Sequence, residues 1–384
     1  MGATPTRVTA NLNAGVTATV FRLTRPFLVR AFDEPTGPLN AGSVLLRPLR
    51  VGICGSDLKL YSGMRERSAL LAKLPIALLH EAVAEVAAVG GGAGPRAGLQ
   101  VGQRVVPSPN IPCTLADPKR FPSPERACYA CRRGGAGENY CLAGRFLSSN
   151  ADGMARTAFV HPAACAVPVP AEVPDSLAVL IEPIATILAG LEQAAPPAGG
   201  RFLVLGNGAM GILTVIALRA VLQAAPEDVL MTGHRWEARA GTVEGLATPI
   251  EGGEAATLRE GGIDVAFECV GGDAAPETMA LATEALRPGG RGVLFGPSER
   301  PFLFDARKMI AKGLTFLGCN RARIEHFARA LELCREPALW PLLERALDAK
   351  EFVIQSAGDL DDALYHAWTK AEPGRTVTIW EPTA

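Results

Sequence analysis

The stretch RFLVLGNGAMGILTVIALRAVLQ, residues 201–223, decides the fold. Phe202–Leu205 form a wholly apolar run, the pattern of a strand covered on both faces, as in a parallel sheet. Gly206, Gly208 and Gly211 follow in G-x-G-x-x-G spacing, and an apolar run of helical length comes next. Glycines at those places permit a tight turn, bring backbone close to a pyrophosphate and let helix and strand pack closely. The unit therefore predicts a dinucleotide site at a helix N-terminus. A turn that only connects two packed elements is the plainer alternative, and the flanking strand and helix argue against it.

Working downstream, strand candidates recur at DVLMTG (228–233), IDVAFECVGG (263–272), GRGVLFG (290–296) and LTFLGC (314–319), with helix-like segments between several of them. This alternation predicts an α/β fold with a doubly wound parallel sheet. NAD-type sites place a carboxylate at the end of the second strand to hold the ribose 2′-hydroxyl. Here the strand VLMT ends in Gly233, His234 and Arg235, and Asp228 stands at its start. Loss of the carboxylate and gain of a cation suit a 2′-phosphate, so NADP(H) is expected rather than NAD(H). A solvated Arg235 on a surface loop is the blander account.

Upstream, residues 18–170 read as short apolar runs broken by Gly and Pro, among them ATVFRLTRPFLVRAF (18–32), SVLLRPLRVGIC (43–54) and RTAFVHPAACAVPVP (156–170). That is a β-rich, turn-rich region. After Cys319 come one amphipathic helix, RIEHFARALELCRE (323–336), and a last strand candidate, RTVTIW (375–380). At 384 residues two domains are expected. A net charge of −1 gives no basic excess for nucleic acid. No apolar run reaches the roughly 20 residues that span a bilayer. Residues 1–17 lack a signal-peptide core and read as a flexible arm, so a cytoplasmic chain is expected. In that compartment nine cysteines are thiols or metal ligands rather than disulfides. Three of them crowd into CYACRRGGAGENYC (128–141), where redox pair, staple and metal corner are all open readings.

Cys54, His80 and Glu182, with Glu81 beside the histidine, offer the donor types of a catalytic zinc, although scattered residues of this kind prove nothing alone. Their context does more. C-G-S-D (54–57), H-E (80–81), VGQRVVP (101–107), the cysteine segment, EPIAT (182–186), the glycine turn and AFECVGG (266–272) occur in one order. That order resembles the zinc-dependent medium-chain dehydrogenase/reductase family, alcohol dehydrogenase-like, over residues 18–384. The resemblance implies a GroES-like catalytic domain (18–182), a Rossmann NADP-binding domain (183–318) and a C-terminal return to the first (319–384). It implies a zinc on Cys54, His80 and Glu182, with Glu81 able to exchange onto the metal. Ser56 would relay the proton. Gly206, Asn207, Gly208, Ala209, Met210, Gly211, His234, Arg235 and Val270 would line the cofactor. In this family a four-cysteine lobe holds a structural zinc. Here the upstream cysteine is Cys113, set apart by the insertion TLADPKRFPSPERA, so that Cys113, Cys128, Cys131 and Cys141 would close an S4 site. A homodimer or homotetramer is expected by resemblance only.

Within the family, LYSGMRERSALLAKLPIALLHE (60–81), MIAKGLTFLG (309–318) and GRTVTIW (374–380) resemble bacterial ribitol-5-phosphate dehydrogenases, which act as ribulose-5-phosphate reductases. Leu79 stands before His80 where relatives more often have glycine, and the retained cysteine lobe is a departure. The implied substrate is a small polyol or ketose, D-ribulose 5-phosphate in the first instance. Lys59, Arg65 and Arg321, with Arg67 and Lys73 nearby, are the candidate phosphate contacts. Another polyol or a cyclitol, and a dinucleotide-binding protein without catalysis, are the alternatives.

Overall fold

The computed structural model describes residues 15–91, 98–250, 258, 262–370 and 372–381, so most of the expected arm at 1–17 lies outside the described residues. Phe202–Leu205, buried along its whole length, takes the middle of a six-stranded parallel sheet. The order across that sheet is Thr248–Ile250, Val229–Thr232, Phe202–Leu205, Ile263–Glu268, Leu286–Leu294, Thr315–Gly318. Phe202 pairs with Val229 on one side and Val265 on the other. Strand order therefore reverses beside the glycine turn, which opens the crevice where doubly wound sheets bind ligands. The edge strand Thr248–Ile250 gave no sequence signal, because Pro249 weakens its strand character; at a sheet edge proline is tolerated.

Helix Ala209–Leu222 starts at Gly208 and buries Gly211–Leu218 against the sheet and helix Ile181–Ala194. The expected amphipathic helix forms at Ile324–Cys334 and buries Phe327, Ala330, Leu331 and Cys334. The β-rich region builds a second sheet in the order Ala166–Pro168, Arg104–Pro107, Glu81–Val89, Ser43–Gly52, Arg375–Trp380, Leu347–Ile354, with Phe159–Pro162 also paired to Ser43–Gly52. The last strand thus crosses back to the first lobe, where Val377 faces Gly52 and Thr378 faces Val51 in antiparallel register. Ile53 N–H donates to Thr376 O at 3.0 Å, so the chain's final strand frames the loop that carries Cys54. One core cluster joins Phe202, Val204 and Val265 of the parallel sheet to Val83, Val106 and Val377 of the second sheet, a further cluster around Leu46, Val51 and Ala84 fills the β-rich lobe, and the cleft between the lobes holds the candidate site.

Candidate active site

Cys54 caps helix Gly55–Tyr61, and Asp57 at its third position organises the surroundings. One Asp57 oxygen accepts the Cys54 N–H at 3.3 Å. The other accepts the Leu79 N–H at 3.1 Å and the Ser148 hydroxyl. Leu79 is fully buried at φ 73°, a left-handed conformation that costs a branched side chain energy and that glycine adopts freely. The Asp57 bond holds that backbone in place and so aims His80, the next residue.

Cys54, His80 and Glu81 bring their donor atoms within 4.8 Å of one another. His80 Nδ1 lies 3.4 Å from Asp57 Oδ2 without hydrogen-bond geometry, and neither Glu81 oxygen has a hydrogen-bond partner among the described residues. Unpartnered buried atoms of this kind are costly unless something cationic joins them. A thiolate, an imidazole and a carboxylate in that state fit a zinc ion. Glu182 is not part of this tight group; it sits in the first turn of helix Ile181–Ala194, buried, on the wall of the same cavity.

The sequence pointed to no role for Arg375, yet its Nε lies 3.0 Å from Glu81 Oε2 and its Nη1 donates to Ile53 O at 3.2 Å. Burial resists ionisation of Cys54, but Arg375 and His80 outweigh it and bring the thiol down to about 6. Burial pushes Glu81 up to about 8 despite Arg375. It also pushes Glu182 up to about 7. Burial disfavours the charged imidazole too, but Asp57 and Cys54 hold His80 well above its ordinary range. The centre is a mutually dependent set of charges gathered from both ends of the chain.

Across a cavity of about 470 Å³, Cys54, His80 and Glu182 face Gly208, Met210 and Val270. Gly206 has φ 114°, and a Cβ there would meet Val270 Cγ2 at 2.7 Å. A Cβ on Gly211 would lie 1.8 Å from Gly206 O, whereas nothing stands within 4 Å of a Cβ on Gly208. The helix N-terminus is therefore open above a turn that only glycine can make, a cradle that fits a dinucleotide pyrophosphate. Ala209 opens that helix. Asn207 ties the turn to the next loop, donating to His234 O at 2.8 Å and accepting from Arg239 Nη1 at 3.0 Å. His234 and Arg235 are exposed at the end of strand Val229–Thr232, and Arg235 at φ 54° caps helix Trp236–Val243. Arg239, one turn into that helix, is a second cation that the sequence reading missed; burial and the neighbouring Arg235 lower its pKa.

Ser56, Lys59, Arg65, Lys73 and Arg321 also line the cavity. The structure pairs two of these cations already: Glu299 lies 3.3 Å from Lys59 Nζ and 3.7 Å from Arg65 Nε. In the lobe beyond, Cys113, Cys128, Cys131 and Cys141 bring their sulfurs within 4.8 Å of one another, despite the insertion between the first two. Cys128 is drawn down to about 6 because hydrogen bonds from the Cys131 and Leu142 backbone and from neighbouring thiols overcome its burial. Four converging thiols, one already inclined to ionise, fit a closed tetrahedral zinc site.

Comparison with known proteins agrees with this architecture. Residues 40–171 match the alcohol dehydrogenase GroES-like domain, and residues 251–336 match the zinc-binding dehydrogenase family. Ribulose-5-phosphate reductase 2 of Staphylococcus aureus is 28% identical over 322 residues, covering 83% of this chain and 86% of that protein. Glucose 1-dehydrogenase of Thermoproteus tenax is 30% identical over 329 residues, covering 81% and 85%. Among solved structures, S. aureus TarJ in complex with NADPH superposes with a TM-score of 0.73 at 23% identity, over 95% of this chain and all of that one. A putative zinc-binding dehydrogenase from Sinorhizobium meliloti bound to NADP gives a TM-score of 0.76 at 21% identity, over 95% and 99%.

Proposed function

Because this chain belongs to the zinc-binding alcohol dehydrogenase family, we propose that it is an NADPH-dependent reductase of a phosphorylated ketose, with D-ribulose 5-phosphate giving ribitol 5-phosphate. The observation that carries this reading is one cavity with the Cys54–His80–Glu81 group on one wall, the glycine turn on the other and cations along its rim. The ribulose-5-phosphate reductase relatives supply the substrate class.

Cys54, His80 and Glu182 would hold the catalytic zinc, with Glu81 in reach as an exchanging ligand, and Cys113, Cys128, Cys131 and Cys141 would hold the structural one. When bound, zinc supplies Lewis-acid polarisation of a carbonyl and NADPH supplies hydride. The chain's own residues do the rest. Asp57 fixes the Cys54 and Leu79 backbones and thereby the directions of Cys54 and His80. Arg375 keeps Glu81 compensated in a site from which water is largely excluded. The glycine turn, Arg235 and Arg239 would hold the dinucleotide, with Met210 and Val270 on the wall of the same cavity. Ser56 Oγ, half-buried on the cavity wall beside Cys54, would relay a proton from solvent to the new alcohol oxygen, taking up one proton as it gives one, and would run the relay in reverse in the oxidative direction.

Metal analysis of chelator-free protein is expected to approach two zinc ions per chain, and NADPH oxidation is expected to depend on zinc and on D-ribulose 5-phosphate. Equal rates with unphosphorylated ribulose would sink the phosphate part of the reading; one zinc with freely alkylated lobe cysteines would sink the second metal. A neutral polyol is the second reading, favoured by Glu299, which already offsets charge on Lys59 and Arg65. The same pair of ketoses separates the two.

A further inference from the structure

Of the six lysines and arginines that line the cavity, the four offered as phosphate contacts, Lys59, Arg65, Lys73 and Arg321, are not equivalent. Lys59 Nζ donates to Pro297 O at 2.6 Å and pairs with Glu299 at 3.3 Å. Arg65 shares the same carboxylate, whose side chain is only 11% exposed. These two side chains fasten the loop that follows strand Leu286–Leu294 to the first lobe, and their charge is already partly answered. Lys73 and Arg321 differ: among the described residues neither has a carboxylate within ion-pair distance. Among the described residues the one hydrogen-bond partner of Lys73 Nζ is a hydroxyl, Ser149 Oγ, at 3.1 Å. Arg321 Cζ stands over the Phe146 ring, 4.7 Å from its centre, and the residue is half-buried on the cavity wall.

Position supports a shared task. The Phe146 ring stands 5.7 Å from the His80 ring and 4.7 Å from Arg321 Cζ. The metal-ligand group and the Arg321 charge therefore border the same aromatic ring, close enough for a short polyol chain to reach from one to the other. Burial lowers the Lys73 pKa and both Arg65 and Arg321 lower it further, while Glu299, outside ion-pair distance of Lys73, offsets only part of this.

We propose that Lys73, with Ser149 beside it, and Arg321, stacked on Phe146 in the same cavity, form the anion subsite that holds the substrate's phosphate, while Lys59 and Arg65 serve as a strap to Glu299. This refines the proposed function and rests on it for the substrate, but not for the anion. Two cations match a phosphomonoester near −2 charge, and charge-assisted hydrogen bonds are the strong kind. The assignment replaces Lys59 and Arg65, the pair that sequence position favoured, because the structure shows them engaged elsewhere.

The test uses zinc-loaded full chain and two readouts. Calorimetric titration with inorganic phosphate, then with D-ribulose 5-phosphate, measures binding; steady-state kinetics give the ratio of kcat/KM for the phosphorylated over the unphosphorylated ketose. Lys73→Met is expected to weaken phosphate binding and to shrink that ratio by about ten- to a hundredfold. Lys73→Arg should restore most of both, which a role in folding alone would not produce. Lys59→Met should change phosphate affinity by less than about threefold. Lys73 rather than Arg321 carries the test because Arg321 also lies near Tyr140 and Cys141 of the cysteine lobe. If Lys59→Met costs as much as Lys73→Met, or if wild type binds no phosphate at millimolar concentration, the subsite is overturned. If wild type binds phosphate through Lys73 yet fails to reduce D-ribulose 5-phosphate, the subsite stands and the substrate reading falls.

Discussion

Replacing Arg375 with Met is expected to destabilise the protein by about 3–5 kcal/mol, and the reason is Glu81. The two charges lie 3.0 Å apart with Glu81 fully buried and Arg375 nearly so. At an effective dielectric of about 20, a unit pair at that distance attracts by about 5 kcal/mol. Hydrogen-bond geometry is not met between them, so the attraction is almost purely coulombic. Met fills the guanidinium's volume without its charge and, above the value of about 8 to which burial pushes Glu81, leaves the carboxylate without a counter-ion. Urea unfolding followed by tryptophan fluorescence, at pH 9 and one fixed zinc concentration, measures the loss. The second variant is Arg375→Met combined with Glu81→Gln, which removes both charges and should recover most of the deficit. What stays missing is the bond to Ile53 O, worth about 1 kcal/mol. A single variant that loses less than about 1 kcal/mol, or a double variant no more stable than the single, would show that Arg375 does not compensate Glu81.

Two further outcomes follow from groups described by position and burial. Wild type is expected to prefer NADPH to NADH, with Arg235→Ala and Arg239→Ala each reducing that preference about ten- to a hundredfold through cofactor KM; a wild type that works better with NADH would overturn the reading of this loop. His161, buried in strand Phe159–Pro162 with Nε2 3.2 Å from Cys165 O, is held down to about 4, chiefly by burial. An unfolded imidazole takes its proton near 6.5, so the His161 contribution is intact above about pH 6.5 and is lost as the pH falls to about 4. The loss amounts to about 3 kcal/mol, and His161→Leu should flatten it; identical pH profiles of urea stability for the two proteins would acquit His161.

The sequence disclosed most clearly what depends on neighbours in the chain. Phe202–Leu205, the three glycines and the helix behind them report on one another within twenty residues, so strand, turn and helix were all legible. Cys128 and Cys131 announce a site by spacing, and even Cys113 could be placed once the lobe was understood as interrupted. Charge pairing was not legible in this way. Nothing local marks Arg375 as the partner of Glu81, or Glu299 as the partner of Lys59, because each pair is closed by the fold across most of the chain. Arg239 escaped notice for a smaller reason, since it lies one helical turn past the strand end where a phosphate contact is sought. Leu79 carried a visible hint, standing in for glycine before His80, and its positive φ is the physical content of that hint.

The crossing of strand Arg375–Trp380 into the first lobe has a consequence for biogenesis. A ribosome makes Cys54, His80 and Glu81 long before the guanidinium of Arg375 that compensates them. Until then Arg50–Gly52 have no Val377–Ile379 beside them, and an open strand edge invites the wrong partner. A nascent or truncated chain that stops short of Arg375 therefore lacks its edge cover and its counter-charge at the same place. Its weakest point is the reaction centre itself, so an incomplete molecule is expected to be recognised as misfolded before it can bind metal in working order.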